Sequence, residues 1–299
     1  MTEPKRTITR RDFLRGTTFT TLALAMGLFP EEEKIVGPAP KTKIVLIRDP
    51  DVMDAKGRIN AKVIRRMLDD AVSALFDKED PVEAWKLLVK PKDVVGIKSN
   101  VWTPLPTPEE LEQAIKKRVM DAGVPEENVD ITDRGVLESK VFQKATALIN
   151  ARPLRTHAWS GVGGCIKNYI MFVPRPSKYH GNSCEDLGAI WKLPMVKDKT
   201  RLNVLVMLQP LFYGVGPHHF DSTYTWQYKG LLVGTDPVAL DAVGVRIFQA
   251  KRLAHFGKER PFKPPAHHIA FADIKHKIGT SDVRTIEIVK LGWKEGVLI

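Results

Sequence analysis

The first half of the chain alternates short apolar runs with stretches in which apolar residues recur every three or four positions. Residues Asn60 to Phe76 show this helical spacing clearly, and they predict an amphipathic helix. Strand-length runs that alternate with helices are typical of an α/β fold, so we expect a mostly parallel central sheet with helices on both faces. The predicted strands are Lys43–Arg48, Asp93–Lys98 and Val129–Thr132, and the other predicted helices are Thr107–Gly123 and Glu138–Asn150.

Capping residues mark where several helices begin. Thr107 and Glu110 have the spacing of a capping box, with Pro108 at the first helical position. Asp236 followed by Pro237 predicts the start of a later helix in the same way. In the second half we expect strands at Leu202–Leu208, Gly230–Gly234 and Thr285–Leu291, and further helices at Leu187–Val196 and His267–Lys277.

The segment from Thr156 to Asn168 is dense in glycine and in polar side chains. Glycine lets a backbone approach a ligand closely, and successive N–H groups in such a turn can bind an anion. The spacing matches neither a Walker A loop nor Gly-x-Gly-x-x-Gly, so it implies no nucleotide. Two interpretations stay open: a tight turn between packed elements, or a pocket floor for an anionic or carbonyl-bearing small molecule. The pocket residues would be His157, Ser160, Gly163, Gly164, Lys167 and Asn168.

Polar residues from distant parts of the chain are expected to reach the same pocket. Lys98 and Asn100 follow a predicted strand, and ligands gather at the carboxyl ends of parallel strands. Asp241 lies in an apolar helix, where a buried carboxylate needs a partner such as Lys98 or Lys167. In an enzyme, Lys167 would stabilise a developing oxyanion and Asp241 would orient or neutralise a lysine. His157 is the candidate general acid or base, because its ordinary pKa lies near neutrality.

The connection Gln209–Lys229 is long enough to be a lid or a binding loop. We expect its His218, together with His180, to bind at the rim of the pocket. A metal site built from these two residues and His157 ranks below metal-free use, because no His-Glu-x-x-His motif accompanies them.

The N-terminal residues predict export. Residues 1–29 pair Arg10 and Arg11 ahead of a modest apolar stretch, which resembles a twin-arginine export signal. An amphipathic N-terminal helix is the alternative. Residues 30–42 are acidic and then proline-rich, as in a linker, and 43–299 are expected to form one α/β domain. The predicted location is therefore periplasmic or otherwise extracytoplasmic, with the twin-arginine export machinery as a partner.

Charge and cysteine content narrow the function further. The 299-residue chain has a formal net charge of +11, which attracts anionic ligands. Because the protein is expected to be exported, we do not expect nucleic acid to be a partner. The two cysteines, Cys165 and Cys184, are too few for an intrinsic iron–sulfur cluster. They would form either a disulfide or two buried free thiols, and both interpretations stay open.

From about Lys43 onward the chain resembles the domain-of-unknown-function 362 family. This family includes exported members and members with fused ferredoxin domains, so the resemblance implies redox surroundings. Arg155 and Gln209 depart from the family's usual Lys and Asp. The segments that carry the resemblance are 96–100, 156–157, 161–168, His180, 214–217 and 236–241.

Two functions follow as hypotheses. The first is an exported protein, enzymatic or not, whose Lys, His, Asn and Asp residues bind a small anionic or carbonyl-bearing ligand. The second is a non-catalytic periplasmic binding or maturation factor that serves a redox protein partner. Neither the reaction nor a cofactor follows from the residues.

Overall fold

A computed structural model of the protein describes residues 41–299. The predicted signal segment, with Arg10 and Arg11, and residues 30–40 of the predicted linker lie outside the described residues. The strands are β1 (Thr42–Arg48), β2 (Val95–Lys98), β3 (Val129–Thr132), β4 (Ala147–His157), β5 (Gly161–Gly163), β6 (Thr200–Leu211), β7 (Gly230–Gly234) and β8 (Ile286–Gly292). The helices are α1 (Ala61–Phe76), α2 (Pro81–Leu88), α3 (Glu109–Asp121), α4 (Lys140–Lys144), α5 (Cys165–Asn168), α6 (Gly181–Cys184), α7 (Leu187–Ile190), α8 (Pro237–Phe256) and α9 (His267–Ile274).

The strands form one sheet in the order β3-β2-β4-β6-β7-β1-β8, and β5 folds back onto the end of β4. Neighbours run parallel at β3–β2, β2–β4, β4–β6 and β1–β8. Strand β7 runs antiparallel to both β6 and β1. The predicted mostly parallel α/β sheet is therefore confirmed.

Both faces of the sheet are covered. Val45 and Ile47 of β1 pack in one core with Leu68 of α1. The alternate residues Ile44 and Leu46 pack on the opposite face, in a core that includes residues of α8. Successive strand side chains point to opposite faces, so each inner strand joins two hydrophobic layers. None of the helices within residues 41–299 is long and apolar enough to cross a membrane.

The helix predicted over Glu138–Asn150 is wrong. The structure has the short helix α4 there, and then the long strand β4 begins at Ala147. Leu148 and Ile149 fit a helical spacing in the sequence, but they pack in cores on opposite faces of the sheet. Pairing with β2 on one side and β6 on the other outweighs the local helical pattern.

The capping box predicted at Thr107 is also wrong. Helix α3 begins at Glu109, and no side chain caps its N-terminus. The Thr107 hydroxyl instead accepts the N–H of Asn100 at 3.1 Å and donates to the carbonyl of Ala151 at 3.0 Å. Thr107 therefore ties the loop after β2 to β4, which places Asn100 at the carboxyl end of the sheet.

Several local predictions are confirmed. Strand β7 has the predicted bounds, and Asp236 caps α8 by accepting the N–H groups of Val238 and Ala239. Helix α1 begins one residue after Asn60, whose side chain caps it. In each case the signal is local, either a capping side chain or a short apolar run that the sheet buries.

Candidate functional site

The carboxyl end of β4 brings two arginines to one place. Arg152 and Arg155 are three residues apart, so in a regular strand they would point to opposite faces. The pairing of β4 with β6 shifts register between Pro153 and Arg155. Both guanidinium groups consequently line the same cleft, which has a volume of about 280 Å³. We call it the cationic cleft and define it by Arg152, Arg155, His157, Trp159, Lys167 and Asn168.

Arg152 is buried, with 3% of its surface exposed. Its Nε has no hydrogen-bond partner, and its guanidinium forms no salt bridge with any of residues 41–299. Burial lowers the pKa of Arg152, and the charges of Asp133 and Asp241 offset this in part. Since arginine stays charged in proteins, the cleft holds a buried cation that has no salt-bridge partner among residues 41–299.

The guanidinium of Arg155 has hydrogen-bond partners for only some of its N–H groups. Its Nη1 donates to Asn100 Oδ1 at 3.0 Å, and its guanidinium lies 4.5 Å from the ring centroid of Trp102. Its Nε has no partner in the described part of the chain. Burial, and then the charge of Arg152, lower the pKa of Arg155 well below its ordinary value.

Lys98 lies beneath the cleft and is fully buried. Its ammonium donates to Asp133, which follows β3, and to the carbonyl of Ser99 at 2.7 Å. Burial lowers the pKa of Lys98 to about 8, and Asp133 opposes the shift. The Asp133 carboxylate is therefore paired with Lys98, and its charge offsets the effect of burial on the two arginines only in part.

A chain of amides joins α5 to the strand ends. Asn168 Nδ2 donates to Asn150 Oδ1 at 2.8 Å and to the carbonyl of Lys98 at 3.2 Å. Asn168 Oδ1 accepts from Asn100 Nδ2 at 3.4 Å. These bonds fix the orientation of α5, and with it the position of Lys167, relative to β2 and β4.

Lys167 is buried and lines the cleft. Its Nζ lies 3.6 Å from Cys184 Sγ, and both Cys184 and Cys165 are free thiols. Of the two interpretations left open by the sequence, buried free thiols hold. Burial lowers the pKa of Lys167 to about 8, and the charges of Arg152 and Arg155 also lower it.

His157 ends β4 and is mostly buried. Its Nδ1 accepts the backbone N–H of Trp159 at 3.2 Å, which assigns the proton of the neutral ring to Nε2. Burial, followed by the charges of Lys167 and Arg152, holds the pKa of His157 far below its ordinary value. The ordinary near-neutral pKa of histidine does not apply in this environment, and His157 enters the cleft as a neutral hydrogen-bond donor.

Trp159 organises the rim. The ring of His180 stacks on it with centroids 4.1 Å apart, and the ring of His218 meets it edge-on at 4.4 Å. His180 lines the cleft, whereas His218 reaches the rim only through Trp159. Within residues 41–299, no three His, Cys, Asp or Glu side chains are grouped to hold a metal ion.

Asp241 does not pair with a lysine, contrary to expectation. Its carboxylate accepts the backbone N–H groups of Cys165 at 2.7 Å and Ile166 at 2.9 Å. Burial raises the pKa of Asp241 to about 7. A Cβ on Gly164 would lie 2.2 Å from Asp241 Oδ1, so glycine is needed there for the close approach. Asp241 is thus a support of α5 rather than a group of the cleft.

The remaining predicted glycine and serine also have structural roles. Gly163 makes room for Arg152, because a Cβ there would lie 2.8 Å from its Nη2. The Ser160 hydroxyl donates to the carbonyl of Val162 at 2.7 Å, within its own turn. Of the eleven residues predicted for the pocket, the cleft is lined by Asn100, His157, Lys167, Asn168 and His180.

A larger cleft of about 920 Å³ opens beside the first, and Asn100 lines both. Its walls are the proline-rich loop 103–108, the carboxylates at the start of α3, and Gln209. Gln209, noted above as a departure from the family pattern, therefore lies outside the cationic cleft. The larger cleft lacks an unpaired buried charge among its described lining residues, so the smaller one is the better candidate site.

Sequence reasoning missed Arg152 altogether and treated Arg155 only as a departure from a family pattern. The misassigned helix contributed, because it took residues 147–150 from β4 and left the remaining run too short to be recognised as a buried strand. The available signal was the run from Ala147 to His157, in which two arginines interrupt an apolar stretch. An arginine in a strand that is buried on both faces points to a ligand or an ion pair.

Comparison with known proteins connects this region to a described family. Residues 109–246 match the model of the family described as Domain of unknown function (DUF362). The matched stretch includes Arg152, Lys167 and Asp241, whereas Lys98 and Asn100 precede it. The resemblance expected from the sequence is confirmed at the level of this domain family. No curated protein and no solved structure matches the chain.

Proposed function

We propose that the protein is exported and that its cationic cleft binds a small anion that carries a carboxylate or a phosphate. The observation that carries the proposal is Arg152, a buried guanidinium with no ion-pair partner among the described residues. Leaving a charged group buried and unpaired is costly. A bound anion would supply the missing hydrogen-bond acceptors.

The balance of charge around the cleft supports an anionic ligand. Arg152, Arg155 and Lys167 contribute cations, while the one lining carboxylate, Asp133, is paired with Lys98. Bidentate binding of a carboxylate or phosphate is the ordinary use of a guanidinium. The volume of about 280 Å³ suits a ligand of a few heavy atoms.

Isothermal titration calorimetry with acetate, pyruvate and inorganic phosphate tests the proposal. We expect Arg152→Gln to weaken binding on the order of 100-fold, because a buried charge-assisted contact contributes several kcal/mol. Arg246→Gln removes an exposed guanidinium on α8 and is the matched control. Failure of all three anions to bind wild-type protein, or equal binding by Arg152→Gln, would overturn the proposal.

The second candidate function is a non-catalytic periplasmic factor for a redox partner. It is favoured by exposed apolar side chains beside the cleft, including Val101 at 51%, Trp159 at 42% and Phe220 at 37% exposure. Native mass spectrometry of protein purified from its own periplasm separates the two functions. A bound small acid favours the first function, and a stable complex with a redox protein favours the second.

A further inference from the structure

Lys167 and Lys98 are both buried, but they are held differently. Lys98 donates to a carboxylate and to a carbonyl, which fix its ammonium in place. Lys167 has the thiol of Cys184, 3.6 Å from its Nζ, as its hydrogen-bond partner. Burial raises the pKa of Cys184, so this partner is a neutral thiol and only a weak acceptor.

The surroundings of Lys167 make its free amine more accessible than that of an ordinary lysine. Its pKa is lowered to about 8 by burial, with Arg152 and Arg155 contributing in the same direction. Desolvation and neighbouring cations are the conditions under which a lysine becomes a nucleophile toward carbonyl compounds. Lys167 also lines the cleft that contains both arginines, so a bound acid would lie next to its amine.

Resting on the proposed anion binding, we propose that the ligand is a short 2-oxo acid and that Lys167 Nζ forms an imine with its carbonyl carbon. The guanidinium groups of Arg152 and Arg155 hold the carboxylate of the acid. The neutral His157 is a hydrogen-bond donor of the same cleft, whereas the amide N–H groups of Asn168 are already bonded to Asn150 and Lys98. The 2-oxo acid class is chosen because it places a carbonyl carbon directly beside a carboxylate.

The step needs no oxidant, reductant or cofactor. The nitrogen lone pair of Lys167 attacks the carbonyl carbon, the π electrons move to the oxygen, and one nitrogen proton passes to that oxygen to give a neutral carbinolamine. The second nitrogen proton passes to the hydroxyl, which leaves as water while the nitrogen lone pair forms the C=N bond. One water is released for each imine, and the reverse reaction returns the free acid.

Reductive trapping of the purified full chain tests the inference. The protein is incubated with pyruvate or 2-oxoglutarate and sodium cyanoborohydride, which reduces an imine to a stable amine, and the adduct is mapped by peptide mass spectrometry. We expect one adduct per chain, at Lys167. Acetone lacks the carboxylate and should label far less, and acetate should protect Lys167 by competition.

Variants and calorimetry distinguish a failure of imine formation from a failure of anion binding. Lys167→Arg keeps the positive charge and should still bind pyruvate while losing the adduct. Binding of either 2-oxo acid without an adduct, or labelling of Lys98 or surface lysines in place of Lys167, overturns the imine and leaves anion binding intact. Binding of phosphate or acetate but of neither 2-oxo acid overturns the inference as well. If no anion binds, the proposed function itself fails.

Discussion

At the scale of single residues, the cleft concentrates charges that burial makes unfavourable. Arg152 forms no salt bridge with any of residues 41–299. Burial, and then the charges of Lys167 and Arg152, favour the neutral form of His157. A buried guanidinium without a salt bridge lowers the stability of the protein, and ligand binding is a functional reason for tolerating that cost.

Replacing Arg152 with methionine should therefore raise the free energy of unfolding by about 1–3 kcal/mol, since an unpaired buried charge is removed. Arg118 is the matched control, because it pairs with both Asp69 and Asp121, and Arg118→Met should destabilise the protein. Urea denaturation measures both. Phosphate should stabilise the wild type and have no effect on Arg152→Met; a destabilised Arg152→Met protein would contradict the argument.

The affinity for anions should fall as the pH rises through about 8. Below that pH Lys167 is an ammonium and attracts the ligand, and above it the charge is lost. The stability of the protein changes with pH in the opposite direction. Between about pH 8 and pH 10.5, Lys167 of the unfolded chain, with its ordinary pKa of 10.5, holds a proton that Lys167 of the folded protein has released. Stability of the ligand-free protein therefore rises between about 8 and 10.5.

Calorimetric titrations between pH 6 and 10 measure this dependence. Lys167→Met should bind more weakly at pH 6 and should show a shallower fall, leaving only the contribution of Lys98, whose pKa is also about 8. An unchanged profile in Lys167→Met would show that Lys167 does not face the ligand.

At the scale of elements, the one-turn helix α5 depends on a distant side chain. Asp241 of α8 accepts the first two N–H groups of α5, and α5 carries Lys167 and Asn168 into the cleft. Helix α8 therefore supports the site although none of its side chains lines it.

Asp241→Ala should lower the free energy of unfolding by roughly 3 kcal/mol, because two buried N–H groups lose a charged acceptor. Asp241→Asn keeps one acceptor oxygen and should lose less. Chemical denaturation gives the stabilities, and anion titration of the folded variants should show weaker binding through misplacement of Lys167. An Asp241→Ala protein as stable as the wild type would sink this assignment.

At the scale of the whole molecule, the cleft lies where β2, β3 and β4 end. Loops that follow parallel strands gather at one edge of a sheet, and ligands bind there in many α/β proteins. Asn100 follows β2, Asp133 follows β3, and Arg155 and His157 end β4. Residues far apart in the chain thus reach one cleft through the strand order alone.

The proposed export concerns the whole chain and rests on Arg10 and Arg11. Replacing both with lysine should leave the precursor in the cytoplasm, because the twin-arginine resemblance lies in the guanidinium pair. Cell fractionation and immunoblotting measure the distribution, with Lys5→Arg as a control that alters a neighbouring basic residue. Normal periplasmic accumulation of the double variant would rule out this route.

The sequence by itself determined the α/β class, strand β7, and the starts of α1 and α8. These features depend on short-range physics: an apolar run that must be buried, or a carboxylate or amide side chain that accepts N–H groups two and three residues ahead. It also predicted that Lys98, Asn100, His157, Lys167, Asn168 and Asp241 share one pocket. Of these six, the cleft is lined by Asn100, His157, Lys167 and Asn168.

Only the tertiary structure decided how the site is built. Arg152 and Arg155 meet because the register of β4 against β6 shifts between them, and strand register depends on a partner about 50 residues away. Asp241 binds backbone N–H groups and not a lysine, because Gly164 has no Cβ and therefore lets α5 approach α8 closely. The pKa values of His157 and Lys167 likewise follow from burial and from neighbouring cations, which no local pattern of residues encodes.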